Sequence, residues 1–307
     1  MPRPYAKMVR MNLYLPPTID PQAVVATIGL ISDTHMPQRW AKLPPVLNQI
    51  FANVNIIFHA GNVGELWVLD ELSQIAPVIA VHGNDETEDA TRELPYQQLV
   101  TVAGQRLLIW HSHYANRVDE MHARRSGNLR EGLLRSVARA KSAGARLVHF
   151  GHWHLPLLFE HEGIVAVNAG AIASGNPYQQ QVIQTVALLF VLRDGRFHIS
   201  HVNLADPERP YTPQTDIDAG FAQNLGIYGR SILAPDLEFL PKVDLSDIYR
   251  TDRGAFLDVW LPLAHRVWAG EKSQVALADL LAAVKTADIK EGTRERITAV
   301  LESALSI

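Results

Sequence analysis

Thr27-Ile28-Gly29-Leu30-Ile31-Ser32-Asp33-Thr34-His35 runs from an apolar stretch straight into a polar triplet, and Leu147-Val148-His149-Phe150-Gly151-His152-Trp153-His154 repeats the arrangement far along the chain. Side chains two residues apart on an extended backbone point the same way. Asp33 and His35 therefore share one side, as do His152 and His154, with Trp153 opposed. Open α/β folds bind ligands beyond the carboxyl ends of their strands, which is where both pairs project.

Working outward, three more polar pieces end apolar runs: His59-Ala60-Gly61-Asn62, Gly83-Asn84-Asp85-Glu86 and His111-Ser112-His113. Either of the first two alone reads as a strand-ending turn, because glycine permits the sharp bend such a turn needs. Five such pieces, each closing a different run, are improbable as unrelated loops. The runs themselves predict strands over residues 27–32, 55–59, 78–82, 99–102, 107–110 and 147–150, with helices near 45–51, 65–74 and 129–142, the last closed at Gly144. After Phe150 the pattern turns to strands alone, near 157–160, 164–167, 183–192 and 197–202, the last two joined at Arg193-Asp194-Gly195-Arg196. The expected fold is an α/β, two-sheet mixed β-sandwich flanked by helices.

Composition bounds the rest. With 47% hydrophobic and 20% charged residues the chain reads as globular and able to bury a real core. Cysteine is absent, so metal ligands must come from His, Asp, Glu and Asn, and a reducing, cytoplasmic setting is expected. The basic, proline-interrupted N-terminus reads as neither signal peptide nor anchor, so no membrane partner is expected. A formal net charge of −4 gives no general attraction to nucleic acid, which is not expected as a partner. Prolines cluster from Asp206-Pro207 onward, so the expected organisation is an N-terminal extension over 1–25, the main domain over 26–205, and a linker with a mainly helical C-terminal extension over 206–307. Within that extension Leu277, Leu280, Leu281 and Val284 form one helical stripe, and Ile297, Val300, Leu301 and Leu305 another. Both need an apolar partner, and homo-oligomerisation through the extension is one way to supply it.

The ordered set DTH, GN, GND, HSH and GHWH resembles that of the calcineurin-like metallophosphoesterases, in their YfcE-like small phosphodiesterase branch, from about Ile28 to Val202. The resemblance implies metal-dependent hydrolysis of a phosphodiester or phosphomonoester by metal-activated water. It implies one cation on Asp33, His35 and His154, a second on Asn84, His111 and His152, and a shared ligand at Asn62. Mn is the first expectation for the one or two divalent ions, with Fe, Zn, Ni or Co also suited to such ligands. Family members carry Asp where this chain has Asn62, which removes an anion from the centre and attenuates the second site. Asp85 stands where larger relatives carry a proton-donating His, so Asp85 and His113 are the candidates for catalytic proton transfer. The same fold in the retromer subunit of the vacuolar sorting machinery is a protein-binding scaffold, and it too carries Asn at the shared position. A non-catalytic interaction scaffold is therefore the alternative function.

Overall fold

The structure is a computed structural model and describes residues 13–242 and 246–305. The strands are β1 (Val24–Ile31), β2 (Ile56–His59), β3 (Val78–Ala80), β4 (Gln97–Val102), β5 (Gln105–Trp110), β6 (Leu147–Phe150), β7 (Leu157–His161), β8 (Ile164–Asn168), β9 (Gln179–Gln181), β10 (Thr185–Leu192), β11 (Phe197–Asn203), β12 (Pro210–Tyr211) and β13 (Gly229–Ser231). One six-stranded sheet runs in the order β12-β11-β10-β1-β2-β3, and a five-stranded sheet runs β4-β5-β6-β8-β7. Both are mixed. β1, β2 and β3 are mutually parallel, as are β5, β6 and β8, while β10, β11, β12, β4 and β7 pair antiparallel to their neighbours.

Strand alternation divides the core into layers. Ile28, Leu30, Leu107, Ile109, Leu147, Ala187, Leu189 and Val191 belong to one buried cluster drawn from both sheets, which is the filling of the sandwich. The intervening residues of β1 and β10, Ile31, Val186, Leu188 and Phe190, pack instead with the helices Leu47–Ile50 and Trp67–Ser73. On the other sheet Leu108, Trp110, Val148 and Phe150 pack with Leu133 and Val137 of the helix Leu129–Ser142. Asn128 caps that helix by accepting from the Glu131 amide at 3.2 Å, and Gly144 follows its end in the left-handed region with φ 64°. The two-sheet sandwich with flanking helices expected from the sequence is the fold observed.

The chain divides into two compact units. The first comprises the described residues to Gly175 together with Gln181–Gly229, and the second Asn176–Gln180 with Arg230 onward. Residues 206–229, beyond the composition shift, fall in the first unit. There Tyr228, at the end of the helix Phe221–Tyr228, is fully buried in the cluster that holds Trp110 and Leu133. In the second unit the helices Ser246–Trp268, Leu277–Thr286 and Glu291–Leu305 pack on one another, burying Leu280, Val284, Ile297 and Leu301 from the two stripes. Trp260 and Trp268 donate their indole N–H groups to the carbonyls of Pro177 and Gln179, each at 2.9 Å. β9 and β13 form a short ribbon in which the Arg230 guanidinium donates to Gln180 Oε1. Among the described residues no helix is long and apolar enough to cross a membrane.

Candidate metal centre

Five loops follow the carboxyl ends of β1, β2, β3, β5 and β6, and backbone hydrogen bonds tie the first two together. The Asp33 amide donates to the Gly61 carbonyl at 3.0 Å and the His35 amide to the Asn62 carbonyl at 2.9 Å, so the first two loops run side by side. Glu86 joins the third: Oε1 accepts from the amides of Val63 and Gly83, at 3.0 and 2.9 Å, and Oε2 from that of Gly64 at 2.9 Å. Gly151 makes the closest approach possible. A β-carbon there would lie 2.6 Å from the Ala60 carbonyl oxygen and 2.9 Å from both Asp33 Oδ2 and His111 Nδ1. Asp33, His35, Asn62, Ser112, His152 and His154 all adopt positive φ, between 45° and 75°. Left-handed backbone costs a side-chain-bearing residue about 1–2 kcal/mol, and such strain gathers where side chains must be aimed at a site.

What is aimed is a set of ligands around one oxygen. Asp33 Oδ1 lies 3.2 Å from His154 Nε2, 3.8 Å from His35 Nε2, 3.8 Å from His111 Nε2 and 3.2 Å from Asn62 Nδ2. Its partner Oδ2 accepts from the His152 amide at 3.0 Å, so the carboxylate cannot turn. Asn84 Oδ1 joins through His111 Nε2 at 3.1 Å. Asp33 is fully buried, which alone would raise its pKa. The imidazoles of His154, His111 and His35 outweigh that and hold it well below the usual carboxylate range. Burial, above all, pushes His35 and His111 well below the ordinary histidine value, so both rings are neutral.

The donor set fits a cation. Asp33, His35 and His154 present ligand atoms that all lie within 4.8 Å of one another, and both ring nitrogens of buried His35 lack a hydrogen-bond partner among the described residues. His154 and His111 each spend Nδ1–H on a backbone carbonyl, Ala173 and Ala60 respectively, at 2.7 Å. With Nδ1 so committed, Nε2 is the atom each ring turns to the pocket. It faces an oxygen, Asp33 Oδ1 for His154 and Asn84 Oδ1 for His111. Imidazole nitrogens gathered about a buried carboxylate, each ring fixed from outside by a carbonyl, are an arrangement suited to a positive ion.

The remaining sequence candidates are held differently. Asn62 Oδ1 accepts from the Asp85 amide at 3.0 Å, and a backbone N–H can only donate, so the amide is fixed with Nδ2 toward Asp33. Asn62 thus faces the cluster with a donor; to offer its oxygen there it would have to rotate and give up both bonds. His152 lies beside His111, ring centroids 5.1 Å apart, and its Nε2 is 2.8 Å from Glu120 Oε1. Asp85 forms an ion pair with Arg39, whose Nη1 also donates to the Ser174 carbonyl at 3.1 Å. His113 is buried beside His111 and Tyr96, and burial, reinforced by His152 and His82, brings its pKa down to about 4. Among the described residues its Nδ1 has no hydrogen-bond partner. Sequence reasoning missed Arg39 and Glu120. Arg39 is one turn beyond His35 but outside every motif, and Glu120 lies on the helix Arg117–Ser126, which has no apolar stripe to announce it.

Beneath the pocket stand neutral histidines. His59 Nδ1 accepts from the Gly61 amide at 3.2 Å, its Nε2–H reaches Thr34 Oγ1 at 3.0 Å, and Thr34 donates onward to the Val63 carbonyl at 2.9 Å. Asn168, at the end of β8, donates to the Gly151 carbonyl at 3.0 Å and accepts from the Gly170 amide at 2.9 Å, a turn that props the GHWH loop.

Residues 27–193 match the family model of the calcineurin-like phosphoesterase superfamily domain. A probable metallophosphoesterase of Methanothermobacter thermautotrophicus is 31% identical over 144 residues, which cover 47% of this chain and 76% of that relative. Another from Methanocaldococcus jannaschii is 29% identical over 145 residues, covering 47% and 67%. Among solved structures, vacuolar protein sorting 29 of Cryptosporidium parvum aligns with a TM-score of 0.43 and 16% identity over 57% of this chain and 96% of that one.

Proposed function

We propose, because the chain belongs to the calcineurin-like phosphoesterase superfamily, that it is a metal-dependent hydrolase of a phosphodiester or phosphomonoester in which Asp33, His35 and His154 hold one divalent cation tightly. Asn84, His111 and His152 would serve a second, weaker one. The observation that carries this reading is the buried trio with the two unpartnered nitrogens of His35. Mn is the ion we propose, on the imidazole and oxygen donor set, and the cysteine-free sequence fits a cytoplasmic setting. Once bound, a divalent cation supplies Lewis acidity toward a phosphoryl oxygen and lowers the pKa of water.

The chain's own groups set the terms. Asp33 brings the negative charge, held in place by Asn62 Nδ2 and the His152 amide. His113, neutral at pH 7, can exchange a hydrogen bond with a substrate oxygen but carries no acidic proton for a leaving group. Asp85 is turned to Arg39. Aryl esters, whose leaving groups need no proton, are therefore the substrates expected to turn over fastest.

The test is metal content after purification without chelator, together with turnover of an aryl phosphodiester in Mn²⁺. At least one ion per chain, with both ion and turnover lost in His35→Ala, is the expected result. A metal-free, inactive protein would defeat the reading. It would favour the interaction scaffold instead, which the commitment of the Asn62 oxygen to the Asp85 amide already supports.

A further inference from the structure

Three histidines of the centre share one device: each commits one ring nitrogen to an acceptor outside the cluster. For His111 and His154 the acceptor is a neutral backbone carbonyl and the committed atom is Nδ1. For His152 the acceptor is the carboxylate of Glu120 and the committed atom is Nε2. Such outer acceptors fix a ligand ring's tautomer, and a carboxylate also strengthens the ring as a donor, which a carbonyl does less well. The exception falls on the half of the centre where Asn62 has removed an anion.

Glu120 is built into this place. Its Oε2 accepts from the Tyr114 amide at 3.0 Å while Oε1 takes His152, so both oxygens are used across a gap between two loops. Its own amide donates to the Asn116 carbonyl at 3.1 Å in the first turn of the helix, where Asn116 caps by accepting from the amides of Val118 and Asp119. The side chains of Glu120 and His152 are each only 12% exposed, so the pair is largely out of water and its charge is felt at short range.

We infer that Glu120 is a positioning residue for the second cation: it orients His152 with Nδ1 toward the centre and returns, from a helix, the negative charge that Asn62 does not provide from its loop. The inference rests on the two-cation form of the function proposed above. Formally, two divalent ions meet Asp33 alone without Glu120, and two carboxylates with it.

Calorimetric titration of Mn²⁺ into metal-free wild type, Glu120→Gln, Asn62→Asp and the double variant tests this, with thermal midpoints recorded for each metal-free protein. Glu120→Gln keeps size and an accepting oxygen while removing the charge. It should weaken the second ion by about 10- to 100-fold, leave the first within about twofold, and cost less in the Asn62→Asp background, where the loop carries the anion again. Glu120→Asp should recover part of the loss in the wild-type background. Unchanged second-ion affinity in Glu120→Gln would overturn the inference, as would an equal loss at both sites or a loss that follows a lowered thermal midpoint. A wild type that takes up one ion overturns it too while leaving the first-site reading intact; uptake of none defeats both.

Discussion

The two halves of the candidate metal centre each use two histidines, but one adds the carboxylate of Asp33 and the other only the amides of Asn62 and Asn84, and they differ in how those residues are anchored. In the Asp33, His35 and His154 half, the carboxylate is held from both oxygens and His154 is fixed by a backbone carbonyl, all on loops tied directly to β1, β2 and β6. In the Asn62, Asn84, His111 and His152 half, His111 is likewise fixed by a backbone carbonyl, but the amide of Asn62 is committed to its neighbours and His152 depends on a side chain from the helix Arg117–Ser126. Backbone anchors come with the fold and survive substitution, whereas side-chain anchors can be lost one residue at a time. Through His152 the second half should therefore depend on an individual side chain more than the first.

The sharpest way to break that contrast is to remove the charge on which both halves depend. Asp33→Asn keeps an acceptor for the His152 amide but leaves the cluster without its central anion. Turnover of an aryl phosphodiester should fall by about a thousandfold or more, equivalent to roughly 4 kcal/mol, because a Lewis-acidic ion contributes several kcal/mol to phosphoryl chemistry. Bound metal should fall with it, read by elemental analysis. Full metal content and activity in Asp33→Asn would mean that the buried trio is not the primary site.

The loops of the first half also rest on a layer of buried neutral imidazoles. His59 lies under Thr34, and His149 reaches the Ile31 carbonyl at 3.2 Å, just before Asp33. His201 holds the Asn168 carbonyl at 2.7 Å. Burial brings His59 to about 3 and both His149 and His201 to about 4. Their folded values lie below the ordinary 6.5, so on acidification the unfolded chain takes up protons first. Stability is retained above about pH 6.5, falls as pH drops toward about 4, and falls further to about 3 through His59. The full shifts are worth at most about 3 kcal/mol each for His149 and His201 and about 5 kcal/mol for His59. Urea midpoints of the metal-free protein between about pH 7 and about pH 4.5 should show that decline, and His201→Gln, which keeps a donor for Asn168, should make it shallower. A flat profile would mean that these rings are not held neutral.

How much of this could be read beforehand follows from the same physics. Strands buried on both faces, such as β1 and β10, are continuous apolar runs, and the polar triplets at their ends mark the loops of the site, so the sandwich and the motif residues were legible. The helix Leu129–Ser142 was legible to its ends because it carries an apolar stripe, an Asn cap and a closing glycine. The helix Arg117–Ser126 was not: it is mostly charged and leaves Val118 and Met121 exposed, so no periodic burial announces it, and Glu120 went unseen with it. Ser246–Trp268 was hidden differently, with apolar residues scattered around its circumference and Pro262 within it. The orientation of the Asn62 amide could not be read at all, because it is decided by a backbone N–H at Asp85 that only the folded chain brings near.

That orientation sets the smallest of the expected effects and the one that most sharpens the contrast between the halves. In Asn62→Asp, one carboxylate oxygen can keep the bond from the Asp85 amide, and the other then stands where Nδ2 now lies, 3.2 Å from Asp33 Oδ1. The donor that steadied Asp33 becomes a second anion facing it. Two carboxylates that close in a buried pocket repel unless a proton or a cation stands between them. The metal-free variant should therefore lose some thermal stability, while affinity for the second Mn²⁺ rises by about tenfold or more, the equivalent of roughly 1.4 kcal/mol. Turnover of the aryl phosphodiester should rise alongside. Excess Mn²⁺ should raise the thermal midpoint more in the variant than in the wild type, because tighter ligand binding to the folded state adds more stability. Were the variant to bind no further metal and turn over no faster, Asn62 would not be what limits the second half. The difference between the halves would then have to be sought in His152 and the helix that holds it.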